Sequence, residues 1–259
     1  NNQNTLAVSN VVGSNIFNLM VVLGVCAVIA ELKVSKDVLK RDYPFSVLCA
    51  ILLLVAGVIG MTLGRMDGII FLVIFAVFIF YLIKSALDAR KRGEISEKER
   101  EMNEEMEEMK DLPVWKCILY IVGGAIAIKY GGDWVVDSAS VIATSFGISA
   151  TLVGLTICSV GTSLPELVTS IVAAKKNELD MAVGNVVGSN VFNILMVLGI
   201  AATVSPIAFL TENIIDIVVL LVFSLITWVL CVTQKKLSKK EGILMLVLYT
   251  IYLVYICIR

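Results

Sequence analysis

Residues 154–193, GLTICSVGTSLPELVTSIVAAKKNELDMAVGNVVGSNVFN, set oxygen-bearing side chains into an apolar run. Within them, GTSLPE brings together Gly161, the hydroxyls of Thr162 and Ser163, Pro165 and the carboxylate of Glu166. Proline has no N–H and its ring clashes with the preceding turn, so a helix here should break and release carbonyls near Gly161 and Thr162. At membrane depth irregular backbone survives only when it is buried in protein or lines a wet cavity, and an isolated carboxylate there is costly. A bound cation meets both demands. Further on, Ser189 and Asn193 are four apart and share a helix face. Gly184 and Gly188, also four apart, would let a second helix approach closely. Small polar residues at this spacing also serve plain helix packing, which accounts for Asn185 and Ser189 taken alone. Packing explains neither Glu166 beside Pro165 nor the recurrence of the cluster as Gly13, Ser14 and Asn18.

The available ligand chemistry narrows the ion. The sequence has no histidine, and its six cysteines stand singly in apolar stretches, the pattern of small buried hydrophobes rather than of disulfides or a zinc site. Hard oxygens select Ca2+, Na+ or Mg2+ over zinc, copper or iron. Mg2+ demands a small octahedron and holds its water, so a mixed cage of carboxylate, hydroxyl, amide and carbonyl suits Ca2+ and Na+ better.

The elements that must position these groups are membrane helices. The 259 residues are 58% hydrophobic and 17% charged, with a mean hydropathy of +0.92, whereas soluble domains are about half apolar and about a quarter charged. A net charge of −1 argues against nucleic-acid binding. A window of about 20 residues gives eight candidate spans, at 7–30, 43–63, 67–87, 114–144, 149–174, 181–205, 211–233 and 242–258. Runs such as ILLLVAGVIG do not alternate as barrel strands would, so the expected fold is all-α and polytopic. Basic residues divide 18 to two between the loops of the two sides, with Lys129 alone inside a span. The rule that basic loops stay cytoplasmic then puts residues 88–112 inside and the C-terminus outside. The 88–112 segment is rich in Glu and Met, with basic residues at helical spacing. It reads as a solvated helical linker or as a regulatory element. Lys129, Asp133 and Asp137 read as a snorkelling, salt-bridged helix end or as an entrance for cations. Glu212 and Asp216 are expected at the interface.

An internal repeat organises the spans. At an offset of 175, AVSNVVGSNIFNLMVVLG (7–24) aligns with AVGNVVGSNVFNILMVLG (182–199), matching at 13 of 18 positions. The register continues with a one-residue slip, from Asp67-Gly68 to Glu241-Gly242. By the charge count the copies enter the membrane from opposite sides, the inverted repeat of many transporters. The spans at 114–144 and 149–174 have counterparts that would fall upstream of residue 1. The pattern therefore predicts a 5+5 helix protein with eight of ten helices present: 1–87 as the remainder of the first repeat (helices 3–5), 88–112 as the charged linker, and 113–259 as the complete second repeat (helices 6–10).

With GTSLPE and two GSN[VI]FN copies, the sequence resembles the Ca2+:cation antiporter superfamily, in particular its prokaryotic sodium/calcium exchanger-like members. The resemblance implies the inverted-repeat antiporter fold and exchange of Ca2+ for Na+ by alternating access at a midplane site in the cell membrane, with Ca2+/H+ exchange as the alternative. Matched residue by residue, it implies an ion site formed by Glu166, Thr162, Ser163, Ser189 and Asn193 from the second repeat with Ser14 and Asn18 from the first. The first-repeat acid has no match, because 166 − 175 falls at −9. Potassium-dependent relatives carry Asp where this chain has Asn193, so the resemblance leans against potassium co-transport. In family terms the long helix at 114–144 slides across the ligand core. The resemblance implies no cofactor, the transported ions being Ca2+ and Na+. The expected partners are the lipid bilayer and cations, with no nucleic acid and no obligate protein partner. A channel with the same oxygen-lined site and a non-transporting sensor are the competing classes. The lack of His, HExxH and GxSxG weighs against an intramembrane enzyme.

Overall fold

The computed structural model describes residues 2–91, 113–146, 156, 159–176, 179–234 and 236–258. The 88–112 linker lies almost wholly outside these residues, as does much of the stretch before Ser159. The chain begins with α1 (Asn2–Phe17), which passes through a π turn (Asn18–Val22) into α2 (Leu23–Ile29). After β1 (Leu32–Lys33) and a second π turn (Val38–Asp42) come α3 (Tyr43–Gly60), β2 (Thr62–Leu63) and α4 (Arg65–Lys91). Next are the long α5 (Val114–Ser145), the short α6 (Ser159–Thr162) and α7 (Leu164–Lys175). Helix α8 (Leu179–Phe192) again passes through a π turn (Asn193–Val197) into α9 (Leu198–Val204). The chain ends with β3 (Ile207–Ala208), α10 (Thr211–Gln234), β4 (Lys236–Leu237) and α11 (Lys239–Ile258).

Among the described residues, six helical segments are long and apolar enough to cross a membrane: Ala7–Ile29, Val38–Gly60, Arg65–Asp88, Asp180–Val204, Thr211–Thr233 and Lys239–Ile258. They coincide with six of the eight expected spans. The other two differ in kind. Helix α5 is much longer than a span: at 1.5 Å per residue its 32 residues reach roughly 48 Å, well beyond a hydrocarbon core of about 30 Å. The expected span at 149–174 is interrupted at Ser163, between α6 and α7, with Pro165 in the first turn of α7. That is where a proline without an N–H is tolerated.

The duplication is visible in the contacts. The π turns start at Asn18 and Asn193 (193 − 18 = 175), and β1 and β3 start at Leu32 and Ile207 (207 − 32 = 175). Antiparallel β1–β4 pairing is matched by β2–β3 pairing, and packing of α2 on α11 by packing of α4 on α9. The β1–β4 end carries Lys36, Lys40, Lys236 and Lys239, whereas Arg65 follows β2 at the other end. The first copy thus leaves through the basic end and its equivalent through the opposite one. The two copies are inverted. The most buried span, Ala7–Ile29, lies at the centre, with α4 and α11 outside presenting exposed apolar side chains such as Val77, Phe80, Val247 and Ile251.

Two glycine crossings hold the copies together. A Cβ on Gly68 would lie 2.6 Å from the Gly199 carbonyl oxygen and 2.7 Å from the Thr203 backbone nitrogen. A Cβ on Gly242 would lie 2.6 Å from the Gly24 carbonyl oxygen. These are equivalent positions (242 − 68 = 174). By contrast, nothing lies within 4 Å of a Cβ on Gly184 or Gly188, so the close approach expected there does not occur among the described residues. Asp216 also departs from expectation. It is 1% exposed, and its Oδ1 accepts a hydrogen bond from the Tyr252 hydroxyl at 3.1 Å. Glu212, one turn nearer the helix start, is exposed as an interfacial residue would be. Asp133 and Asp137 lie on the exposed surface of α5.

Backbone atoms cannot retreat from a new methyl group. Gly68→Ala and Gly242→Ala should each destabilise the fold by about 1–3 kcal/mol, the usual range for overpacking, while Gly184→Ala leaves it unchanged. Thermal unfolding in detergent checks this, and equal melting temperatures for all three variants would refute the crossing geometry.

Candidate functional ion site

The site forms where α1 and α8, each with its π turn, close on the interrupted α6–α7 segment. A π turn widens the helix by one residue and is frequent at functional sites. Here it closes through the Leu23 N–H to the Asn18 carbonyl, and through the Leu198 N–H to the Asn193 carbonyl.

Both copies grip the broken segment, each with its GSN serine. Ser14 Oγ lies 2.8 Å from Thr162 Oγ1 and donates to the Ser159 carbonyl at 3.3 Å. Ser159 Oγ in turn donates to the Asn10 carbonyl at 3.3 Å. From the other copy, Ser189 Oγ donates to Glu166 Oε1 at 3.2 Å. Asn185 Nδ2 reaches Ser170 Oγ at 3.0 Å, Thr169 Oγ1 at 3.1 Å and the Glu166 carbonyl at 3.4 Å. Ser163 is buried at the N-cap position of α7, with no capping hydrogen bond from its side chain.

Between the copies four asparagines form a clasp. Asn15 Nδ2 donates to the Asn190 carbonyl at 3.2 Å, and Asn190 Nδ2 to the Asn15 carbonyl at 3.3 Å. Asn18 Nδ2 donates to Asn190 Oδ1 at 3.3 Å, and Asn193 Nδ2 to Asn15 Oδ1 at 3.0 Å. Each pair is the image of the other at the 175 offset. The clasp commits the NH2 groups of Asn18 and Asn193 and so fixes the orientation of their carboxamides. Asn18 is fully buried, and its Oδ1 meets no donor. Glu166 Oε2 is the other buried side-chain oxygen without a partner among the described residues. An unsatisfied buried acceptor costs about 1–3 kcal/mol, more when charged.

Of the expected site residues, the structure joins Ser14 to Thr162 and Ser189 to Glu166, and holds Asn18 and Asn193 through Asn190 and Asn15. Thr162 is exposed, whereas Ser14, Asn18 and Ser163 are buried. Glu166 is the single carboxylate in this constellation: no group of three or more His, Cys, Asp or Glu side chains occurs among the described residues. Asn15 and Asn190 do not stand out by local spacing. Their signal was identity in both copies at a depth where an amide must find a partner, and the partner is each other.

A family model for the sodium/calcium exchanger protein matches residues 1–84 and 116–258. The chain is 36% identical over 233 residues to the inner membrane protein YrbG of Escherichia coli, covering 87% of this chain and 70% of that protein. It is 27% identical over 279 aligned residues to the sodium/calcium exchanger MaX1 of Methanosarcina acetivorans, covering 96% of this chain and 79% of that one. A structure of the sodium-calcium exchanger NCX_Mj soaked with Na+ and Sr2+ superposes with a TM-score of 0.75 at 29% identity, over 97% of this chain and 76% of that one.

The clasp predicts symmetric energetics. Asn15→Ala and Asn190→Ala should destabilise equally, by about 1–3 kcal/mol each. The double variant should lose clearly less than the sum, since the two side chains share one network. Unfolding free energies of the two single variants and the double variant test this; additive losses would mean that the amides act separately.

Proposed function

Since the chain belongs to the sodium/calcium exchanger protein family, we propose that it exchanges Ca2+ for Na+ as a secondary antiporter. The observation carrying this reading is the pair of buried oxygens without donors, Asn18 Oδ1 and Glu166 Oε2, one from each copy. Each copy also contributes a serine bound to the α6–α7 segment. Ca2+ takes six to eight oxygens, and Na+, of similar radius, accepts the same cage. The proposed ligands are Glu166, Thr162, Ser163 and Ser14, with Ser189, Asn193 and Asn18. Glu166 balances one Na+ but only half the charge of Ca2+, so the Ca2+-loaded site calls for a second anionic group. Asn193, a neutral amide, adds no charge and supports potassium-independent exchange.

The inverted copies support alternating access, because the same contacts can close either end. Helix α5 leans chiefly on α6 and α7 and is the proposed sliding element. A site that reorients only when filled then couples the two ions, since an empty buried carboxylate is costly to carry through hydrocarbon. We place the protein in the cell membrane as a multi-pass protein, with its basic end cytoplasmic and the end of α11 outside.

In vesicles preloaded with Na+, the protein should accumulate Ca2+ against its own gradient. Uptake that only follows the Ca2+ gradient would indicate a channel, and uptake driven by a pH gradient would indicate proton coupling. Glu166→Gln should weaken Ca2+ binding by at least about 100-fold, the scale of losing one partner of a buried charge pair. Binding and flux unchanged by it would remove Glu166 from the site.

A further inference from the structure

We propose that the groove between the start of α3 and the last turns of α10, at the basic end, binds an anionic phospholipid of the adjoining leaflet. The groove encloses about 580 Å3 and is lined by Leu39, Pro44, Trp228 and Val232 together with Lys36 and Lys40. That volume falls within the size range of small-molecule clefts. The two lysines are four residues apart, both are exposed, and neither ammonium is paired among the described residues. No carboxylate lines the groove. Two neighbouring pairs at this end are already engaged, Lys236 with Glu31 at 2.9 Å and Arg41 with Asp42 at 2.7 Å, while Asp37, Lys239 and Lys240 lie exposed outside the groove lining.

Position selects lipid over a soluble anion. The groove lies where the spans Val38–Gly60 and Thr211–Thr233 meet the basic end, at the level of headgroups. The Trp228 indole donates its N–H to the Leu39 carbonyl at 3.1 Å. The ring is therefore a fixed apolar wall of the kind found at membrane interfaces. Val229 and Val232 are exposed beside it and offer a track for an acyl chain. A phosphate between Lys36 and Lys40, with its tail along Val232, satisfies the charge and the apolar surface together. Basic clefts between spans on the cytoplasmic side commonly take such headgroups. The neighbouring groove between α3 and α4 supplies a control, because its one basic lining residue, Arg41, is neutralised by Asp42. The proposal does not depend on which ions the protein exchanges.

Native mass spectrometry of the purified 259-residue chain in mild detergent tests it, using phosphatidylglycerol and phosphatidylcholine of equal chain length. The wild type should retain phosphatidylglycerol in preference to phosphatidylcholine. K36Q/K40Q should lose roughly 25-fold in phosphatidylglycerol retention, at about fivefold per lysine. K36R/K40R and R41Q should keep it. A photoactivatable acyl chain on phosphatidylglycerol should cross-link wild-type peptides containing Trp228 and Val232. Equal retention of both lipids, full retention by K36Q/K40Q, cross-links elsewhere, or displacement of the lipid by millimolar inorganic phosphate would each overturn the proposal.

Discussion

The reciprocal amide bonds between Asn15 and Asn190 join the two halves of this protein where no water can substitute. An amide carried to membrane depth needs a partner from within the protein. An inverted duplication supplies one automatically, because each copy presents the group that its image lacks. The rest of the scaffold follows from that pairing. Once the asparagines are in register, Gly24 meets Gly242 and Gly68 meets Gly199, and the short strands pair at both ends. Polar groups define the register, and the glycine contacts make it tight.

On this symmetric frame the α6–α7 segment packs against both copies. Ser14 and Ser189 are equivalents (189 − 14 = 175), yet one holds a hydroxyl and a carbonyl while the other holds a carboxylate. The segment can take part in both sets of contacts because it is broken. At the break the Ser163 N–H turns to the Val160 carbonyl at 3.1 Å, and the Ser159 carbonyl accepts from Thr162 Oγ1 and from Ser14 Oγ. Pro165 thus does two things: it opens the backbone, and it starts a new helix whose first turn carries Glu166.

Much of this arrangement is legible in the sequence, for reasons that are local or periodic. The repeat is written as identity at a fixed offset, and the break as a proline in an apolar run. Ser14 and Ser189 could be assigned because a hydroxyl beside a duplicated glycine is conspicuous there. What escaped depends on relations between distant segments. Gly184 and Gly188 have the same spacing as glycines that do meet a helix, and only tertiary placement shows that nothing described packs on them. Asp216 looks interfacial by its distance from the helix start, but Tyr252, on another helix, covers it.

The clasp also bears on why positions 18 and 193 carry amides. Asn18 presents one atom to Asn190 and keeps another out of that bond, and a carboxamide divides those roles into an NH2 donor and an oxygen without a donor. An ionised aspartate would have no proton for Asn190 Oδ1, so the clasp would set two acceptors against each other. The amides therefore hold the copies together and at the same time leave the Asn18 oxygen without a donor. Negative charge is concentrated in Glu166, on the broken segment, where Ser189 steadies one carboxylate oxygen and the other stays without a donor. The clasp is neutral and symmetric and shares no hydrogen bond with Glu166, so the register of the halves does not rest on that carboxylate.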